Sequence, residues 1–257
     1  MFISVKTLTG FPKPLLYKVP QSWNREPFEG ALVTVPLRNT VVPAIVLEIQ
    51  KKKPKINFEV KEAAELKTFP DDSTYYPFIK KLANYHHVDV VQFITRIKQF
   101  THQKEKTLPE QQKPENSDHQ SVMLTSEQQK VVEYLQTYIK TPAYKPTVLH
   151  GVTGSGKTEV YKKIIQECIA HNKSVLLLLP EVTLATNFEN LLRAQLPQDV
   201  TITSFHSATS TAQKKELWRN LIHKKAQLII GVHLPVLLPL PNLGAILIDE
   251  EHETGYQ

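Results

Sequence analysis

The spacing of hydrophobic residues changes near residue 120, and this change divides the chain into two parts with different predicted architectures. The first part contains short runs of β-branched residues interrupted by Gly, Pro and Asn, which is the pattern of strands joined by turns. The predicted strands are Ile3–Leu8, Leu15–Val19, Ala31–Leu37 and Val41–Ile49. The pattern predicts a small, mainly-β N-terminal domain, either a barrel or a sandwich.

Two amphipathic helices are predicted to follow these strands, at about Tyr75–His86 and Val88–Gln99. In the first helix Phe78, Leu82 and Tyr85 recur at helical spacing. Several aromatic residues in the region can either pack in the core, which is the commoner use, or stack on bases. They are Tyr75, Tyr76, Tyr85, Phe93 and Phe100.

From residue 121 onward, helical segments alternate with strongly apolar strands. The predicted helices are Ser126–Ile139, Lys157–His171, Val182–Leu196 and Thr211–Lys225. The predicted strands are Thr147–His150, Ser174–Leu179, Val200–Ser204, Gln227–Val232 and Gly244–Ile248. Strands that are apolar throughout are typical of a parallel sheet covered by helices on both faces, so the second part is predicted to be an α/β lobe.

Residues 101–120 join the two parts and contain almost nothing to bury. Leu108 is their only large apolar residue, among Gln, Lys, Glu and two prolines. Such a composition is typical of a flexible linker. We therefore predict domains at 1–100 and 121–257 with a linker at 101–120.

The formal net charge of +6 is unevenly distributed. Residues 1–120 contain 18 Lys and Arg against 13 Asp and Glu, whereas residues 121–257 contain 13 against 12. A basic front half indicates a polyanionic partner. The single cysteine, Cys168, excludes an internal disulfide and a cysteine-based zinc site within these residues, and no apolar run approaches membrane-spanning length. With no signal peptide at the start, we expect a cytoplasmic protein with no membrane partner.

The octapeptide Gly151–Thr158, GVTGSGKT, satisfies the phosphate-loop pattern between a predicted strand and a predicted helix. Its glycines allow the backbone to curl so that successive N–H groups point at one anion. The ammonium of Lys157 can reach the β- and γ-phosphates, and the Thr158 hydroxyl can ligate Mg²⁺. The predicted nucleotide-binding residues of the loop are Gly151, Thr153, Gly154, Ser155, Gly156, Lys157 and Thr158.

An acidic box, Asp249-Glu250-Glu251-His252, follows the last predicted strand. The carboxyl ends of parallel strands face the ligand site of such a sheet. Asp249 is therefore predicted to hold Mg²⁺, and Glu250 to orient or deprotonate the attacking water.

The phosphate loop and the acidic box resemble those of superfamily 2 helicases, and a longer set of segments is similar to the PriA family of replication-restart helicases (primosomal protein N′). Those segments are Gly151–Tyr161, Leu179–Leu184, His206-Ser207 and Asn242–His252, with Tyr17, Val35-Pro36 and Asn84–His87 in the first domain. The resemblance implies a RecA-like lobe behind an N-terminal DNA-binding domain, with ATP and Mg²⁺ as cofactors. It also implies 3′→5′ movement on DNA, remodelling of stalled forks, and primosome and single-strand-binding proteins as partners.

Individual residues take further roles from the resemblance. Thr125 and Gln128 match the Q-motif, in which the glutamine reads adenine; Thr125-x-x-Gln128 is also a capping box, and both uses can coexist. Glu181 matches a motif that touches the DNA backbone, the alternative being an acid at a helix start. Tyr17 and Lys61 match the pocket for the 3′ end of a DNA strand.

A basic loop, Lys51-Lys52-Lys53-Pro54-Lys55, is a further candidate for DNA contact. Lys52 and Lys53 either bind phosphates or form a solvated hairpin tip. The sequence leaves both open.

Three departures from the family pattern matter. His233 replaces an arginine of the family, and a neutral imidazole is the weaker phosphate partner. Leu15-Leu16 replaces a Phe-Asp pair in the 3′-end pocket, so we expect little preference for a free 3′ end. The short linker stands where the family usually carries a winged-helix domain.

The residues after the acidic box are few, because the sequence stops at Gln257. The resemblance implies a second lobe, an arginine finger and zinc-binding Cys-x-x-Cys pairs that residues 1–257 do not contain, so we expect this chain alone not to hydrolyse ATP. It also implies a strand after the box that inserts between Thr147–His150 and Gly244–Ile248. We therefore expect either a gap between these two strands or a non-native neighbour that closes it.

The leading hypothesis from the sequence is an ATP-driven DNA helicase that remodels forks. The alternative is a non-enzymatic fork-binding or loading protein whose nucleotide site serves as a switch. A third possibility is a nuclease-associated translocase. The absence of a nuclease-type acid cluster from the sequence argues against it.

Overall fold

The structure is a computed structural model, and it describes residues 1–52, 59–97, 123–141, 143–152 and 154–253. The chain divides into two compact units, Met1–Glu105 and Lys106–Gln257. The predicted linker, residues 101–120, lies outside the described ranges. Each unit has its own sheet and its own core.

The N-terminal unit is built on an antiparallel five-stranded sheet. Its strands are β1 (Phe2–Thr7), β2 (Leu15–Lys18), β3 (Leu32–Leu37), β4 (Thr40–Gln50) and β5 (Glu65–Leu66), in the order β2-β1-β4-β3-β5. Backbone hydrogen bonds also join the segment before β5 to β2. The Lys18 N–H donates to Lys61 O at 2.9 Å, and the Ala63 N–H donates to Lys18 O at 3.0 Å. The four predicted strands are confirmed. The two-residue strand β5 is too short to show a period and was not predicted.

Alternation of side chains along β1 and β3 fills the core of this unit. Ile3, Val5, Val33 and Val35 are fully buried and pack with residues of β4. Alternating burial of this kind is what half-covered strands produce. The core thereby fixes the strand register, because a shift of one residue would turn the buried set to solvent.

Two helices follow this sheet, α1 (Tyr75–Tyr85) and α2 (Val90–Ile97). Both predicted helices are confirmed, although α2 begins two residues later than predicted, where the Asp89 carboxylate accepts a bond from the Val91 N–H. The buried face of α1 consists of Tyr75, Tyr76, Ile79 and Ala83. The Phe78–Leu82–Tyr85 stripe, which marked the amphipathic pattern in the sequence, is not that face.

The second unit is a parallel sheet with helices. Its helices are α3 (Ser126–Lys140), α4 (Lys157–Ala170), α5 (Val182–Gln195) and α6 (Thr211–Ile222), and its strands are β6 (Ser174–Leu178), β7 (Ile202–Phe205), β8 (Leu228–Gly231) and β9 (Leu243–Ile248). The strand order is β7-β8-β6-β9. The α/β prediction is confirmed, and the described helices lie within three residues of the predicted bounds. A 3₁₀ helix, Leu234–Leu237, was not predicted.

The central strands of this sheet are buried along their whole length. Every residue of β6, β7 and β8 is buried, whereas β9 alternates between half-buried and exposed residues. This difference follows from position, because β9 has one described neighbour, β6.

The predicted strand Thr147–His150 is not formed. In the described sheet no strand pairs with the outer side of β9, and Val148 is 83% exposed. A strand needs a neighbour to satisfy its backbone groups, and residues 147–150 have none there. The predicted strand is therefore wrong in the described structure, and the expected gap between it and β9 stays a prediction.

Candidate functional site

The phosphate loop ends in a left-handed turn that opens helix α4. Gly154 has φ +79° and Gly156 has φ +80°. Residues other than glycine adopt this left-handed backbone conformation at a cost of roughly 1–2 kcal/mol per residue. Helix α4 then starts at Lys157 and directs its first free N–H groups towards the loop. Thr153, one of the predicted loop residues, lies outside the described ranges.

The Lys157 ammonium lies on the loop itself. Its Nζ donates to Gly151 O at 2.7 Å and to Val152 O at 3.3 Å. The Ser155 N–H bonds Val152 O at 3.1 Å, which holds the loop curled. The positive charge therefore stands where the loop would receive an anion, bound to neutral carbonyls that a phosphate can replace.

Gln128 joins helix α3 to the loop through both ends of its side-chain amide. Its Oε1 accepts from the Thr125 N–H at 2.9 Å, while its Nε2 donates to Ser155 O at 3.1 Å and Gly156 O at 3.4 Å. The Thr125 hydroxyl completes a capping box by accepting from the Gln128 N–H. A Cβ at Gly156 would displace this amide, and the φ of +80° at this position favours glycine in its own right. The capping interpretation of this pair is confirmed, and adenine contact stays a prediction.

Asp249 follows β9 at the carboxyl edge of the sheet. Its N–H donates to Leu178 O at 3.1 Å, and its Oδ1 accepts a hydrogen bond from the Tyr161 hydroxyl at 3.0 Å. Burial and the Asp249 carboxylate together raise the pKa of Tyr161, so this phenol remains a donor at neutral pH. Tyr161 stands one turn after Thr158 on α4. The bond therefore brings the carboxylate of the acidic box beside the helix face that carries Thr158.

Glu250 stands in the next position with a strained backbone. Its φ of +52° is the left-handed conformation, which is uncommon for residues other than glycine, and its carbonyl accepts from the Glu253 N–H at 2.9 Å. The side chain is exposed. Strain of this kind is often found at functional positions, and here it turns the box sharply out of the strand.

The donor set fits a magnesium nucleotide. Mg²⁺ is usually held by one or two protein oxygens together with phosphate and water oxygens, and Thr158 and Asp249 provide such a pair. Among the described residues no three His, Cys, Asp or Glu side chains cluster as metal ligands. A fully protein-made metal cage is therefore not present in the described part of the chain.

Two features near this edge were not apparent from sequence alone. The Tyr161–Asp249 bond joins residues 88 positions apart, and no spacing rule links a phosphate-loop helix to a later carboxylate in that way. The imidazole of His206 is buried, and neither ring nitrogen has a hydrogen-bond partner. Burial lowers the pKa of His206, with Glu189 acting in the opposite direction. The ring is therefore neutral at pH 7.

The predicted DNA-binding residues lie at separate places. Tyr17 is buried in the core of the N-terminal unit, where its hydroxyl donates to Pro36 O at 2.8 Å and burial raises its pKa. Lys61 and Lys52 are exposed, and Lys53 lies outside the described ranges.

Two further candidates belong to the second unit. Glu181 is the exposed N-cap residue of α5 and makes no capping bond with its side chain. His233 precedes the 3₁₀ helix, in which Pro235 packs against Gly231 so closely that a Cβ on this glycine would clash. For all these residues, contact with DNA stays a prediction.

No helix in the described ranges combines the length and the apolar character needed to cross a membrane.

Comparison with known proteins assigns the two units to two family models. The model described as "DEAD/DEAH box helicase" matches residues 125–257, and that of the PriA "3′DNA-binding domain" matches residues 3–97. The Replication restart protein PriA of Rickettsia felis is 31% identical over 252 residues, which is 95% of this chain and 36% of that protein. The Helicobacter pylori (strain J99) protein of the same name is 32% identical over 235 residues, or 89% of this chain and 34% of its own length. The Bacillus subtilis protein is 37% identical over 134 residues, or 52% of this chain and 16% of its own length. The chain thus spans about a third or less of the relatives that it matches.

Proposed function

Because this chain belongs to the DEAD/DEAH box helicase family and carries the PriA 3′DNA-binding domain in front of the helicase domain, we propose that it is the DNA-binding and ATP-binding part of a replication-restart helicase. The whole protein would use ATP to move 3′→5′ on DNA and to remodel stalled forks. It would do so with primosome and single-strand-binding proteins, so that the replicative helicase is reloaded.

The observation that carries the nucleotide part of this proposal is the Tyr161–Asp249 hydrogen bond. It supports a joint role for Thr158 and Asp249, because it brings the carboxylate to the helix that begins at the phosphate loop. When bound, Mg²⁺ would neutralise charge on the phosphates. The protein would hold the phosphates through loop N–H groups and through Lys157, which would leave the carbonyls of Gly151 and Val152.

Glu250 is proposed to orient the attacking water or to accept its proton. Its exposure and its left-handed backbone support this role, since both turn the side chain away from the sheet core. Gln128 is proposed to read adenine. In doing so it would exchange its Nε2 contacts with the loop carbonyls for contacts with the base, which would couple base recognition to the shape of the loop.

DNA binding by the N-terminal unit is supported by the family assignment and by the basic balance of residues 1–120. Leu15 and Leu16 carry no charge or hydrogen-bonding group, so we propose that recognition of a free 3′ hydroxyl is weak here. Lys61 and Lys52, both exposed, are proposed to contact phosphates.

Two substitutions separate nucleotide binding from hydrolysis. Lys157→Ala should weaken binding of a fluorescent ATP analogue to this chain at least tenfold, because it removes the ground-state phosphate contact. Glu250→Gln should leave that binding within about twofold of wild type. In the whole protein, Glu250→Gln should lower single-strand-stimulated ATP hydrolysis by about a hundredfold or more, the usual effect of losing a general base. Stimulated hydrolysis that survives in both variants would overturn the helicase proposal.

The second candidate is a fork-binding protein that uses its nucleotide site as a switch. His233 in place of the family arginine favours it, because an imidazole lacks the planar fork of donors with which arginine binds phosphate. The two functions differ in how the whole protein carrying Glu250→Gln behaves. A switch would keep its fork-loading function without hydrolysis, whereas a helicase would lose strand separation.

A further inference from the structure

Helix α1 carries an apolar stripe that the core of the N-terminal unit leaves uncovered. Phe78 is 39% exposed and Tyr85 is 80% exposed, with Leu82 half-buried between them. The three residues recur every three or four positions, so they share one face of the helix. Scattered exposed apolar residues are ordinary, but a contiguous row of them marks a contact surface.

An aromatic group at the end of the helix supports Tyr85. The Tyr85 ring meets the His86 ring edge-on, with centroids 5.0 Å apart and planes at 87°. The His86 ring is in turn 6.0 Å from Phe93 of α2. The Tyr85–His86 pair has the edge-to-face arrangement that ring pairs prefer, and the His86–Phe93 pair is tilted at 50°. Tyr85 therefore makes an edge-on ring contact with His86 and is still largely open to solvent.

The segment that contains α1 and α2 carries a net positive charge. Residues 75–97 contain Lys80, Lys81 and Arg96 against a single acid, Asp89. Asp89 forms an ion pair with Lys6 of β1. Burial disfavours the ionised form of Asp89, but Lys6 and the Val91 N–H outweigh this and lower its pKa, so the acid stays ionised and paired.

Lys81 lies on the same face of α1 as the apolar stripe, between Phe78 and Tyr85, and is exposed. Open rings beside cations, with the one acid of residues 75–97 paired to Lys6, suit a flexible polyanion with flat apolar groups. Single-stranded nucleic acid has this chemistry. An acidic protein helix would also meet the cations, but it has no need for an open ring at the helix end, whereas a base can stack on that ring.

We propose that this α1 stripe, formed by Phe78, Lys81, Leu82 and Tyr85, is a stacking surface for the bases of single-stranded DNA that acts without a strand end. The inference rests on the proposed DNA function of the N-terminal unit. It assigns base contact to exposed side chains of a helix, separately from any pocket for the 3′ end.

A covalently closed single-stranded circle of about 30 thymidines tests the surface, because it offers no 3′ end. Binding of the labelled circle to the full chain is measured at several salt concentrations. Tyr85→Ala should weaken binding about tenfold, which corresponds to one stacked base. The slope of log affinity against log salt should stay unchanged in this variant. Lys81→Gln should instead reduce the slope by about 0.7, the value for one phosphate contact on a single strand.

Two controls accompany these variants. Tyr85→Phe keeps the ring and should bind like wild type. Tyr144 of the other unit is 94% exposed and, like Tyr85, belongs to a segment that contains a lysine. Tyr144→Ala therefore removes a comparable open ring, and the variant should bind the circle like wild type. Because Tyr85 is exposed, its replacement should leave the melting temperature unchanged.

The outcomes separate this inference from the proposed function. A wild-type chain that binds forked DNA but not the circle would overturn the stacking surface and leave the proposed function standing. Equal affinities of wild type, Tyr85→Ala and Tyr144→Ala for the circle would also overturn the stacking surface and leave the proposed function standing. The stripe would then be a candidate contact surface for a protein partner. Failure of the wild-type chain to bind any DNA would overturn both.

Discussion

The orientation of Asp249 depends on Tyr161, a residue that belongs neither to the phosphate loop nor to the acidic box. Tyr161 donates to its carboxylate at 3.0 Å, and burial keeps this phenol protonated. Partners that orient a metal ligand typically change metal affinity by about 10–100-fold when they are removed. Tyr161→Phe should therefore raise the Mg²⁺ concentration needed for half-maximal nucleotide binding about tenfold. Nucleotide binding in the absence of Mg²⁺ should be unchanged.

Tyr17→Phe is the matched control for this prediction. It also removes a buried hydroxyl, the one bonded to Pro36 O, but in the other unit. It should lower stability by about 1 kcal/mol without moving the Mg²⁺ dependence. If the two variants shift the Mg²⁺ midpoint equally, Tyr161 has no positioning role.

His206 makes the second unit sensitive to acid. Its folded pKa lies below the ordinary value of 6.5, because burial disfavours the imidazolium. The unfolded chain therefore binds the proton more strongly, and stability should fall as pH drops below about 6.5. The loss is limited to about 1.4 kcal/mol per pH unit for one proton. His206→Phe cannot bind the proton and should lose less stability over this range.

Urea unfolding of both proteins between pH 7.5 and 5.5 measures this difference. Other titrating groups are common to the two chains and cancel in the comparison. The free energy of unfolding of the wild type should approach or fall below that of the variant as pH falls. Parallel curves would show that His206 can protonate in the folded state at no cost.

At the scale of elements, the helices were predicted more accurately than the strand pairing. Helix α3 begins at Ser126, as expected, because Thr125 and Gln128 form a capping box whose members are adjacent in sequence. Strands β6 and β8 were visible as apolar runs, and their burial on both faces explains why. Residues 147–150 have the composition of a strand but lack a described neighbour. Pairing depends on what lies beside a strand, which local composition does not contain.

The candidate site shows the same division. The phosphate loop and Asp249 were predictable because each motif is local. Sequence alone could not predict the hydrogen bond from Tyr161 to Asp249 or the exposure of the Phe78–Leu82–Tyr85 stripe. Both depend on which surfaces meet in the folded protein. A helical pattern with apolar residues on two sides of α1 does not reveal which side is buried.

The capping box of α3 gives a prediction at this scale. Thr125→Ala removes a helix cap and should cost about 1 kcal/mol of stability without changing nucleotide selectivity. Gln128→Ala keeps the bond from its own N–H to the Thr125 hydroxyl but removes the reciprocal bond from the Thr125 N–H, together with the bonds to Ser155 O and Gly156 O. Gln128→Ala should lower the stability by a similar amount and should also reduce the preference for ATP over GTP. Competition of the two nucleotides for a fluorescent analogue measures this preference. A Gln128→Ala chain that still prefers ATP like wild type would remove adenine recognition from this residue.

At the scale of the whole molecule, the outer side of β9 is an unprotected edge of the described parallel sheet. Ile246 is 49% exposed and Ile248 is 46% exposed, whereas every residue of the neighbouring strand β6 is buried. An edge strand that exposes apolar side chains and unpaired backbone groups is a template for pairing with other chains. We therefore expect this chain to associate through β9, and a lysine on that strand to hinder the association.

Ile246→Lys should slow aggregation of the chain several-fold at constant protein concentration, because an edge lysine must be desolvated when strands pair. Helix content by circular dichroism should stay the same, since the side chain is already half exposed. Val41→Lys, which adds the same charge at a residue of the N-terminal unit that is 59% exposed, is the control and should aggregate like wild type. Equal slowing by both substitutions would assign the effect to net charge, and no slowing by Ile246→Lys would show that β9 is not the surface through which the chains meet.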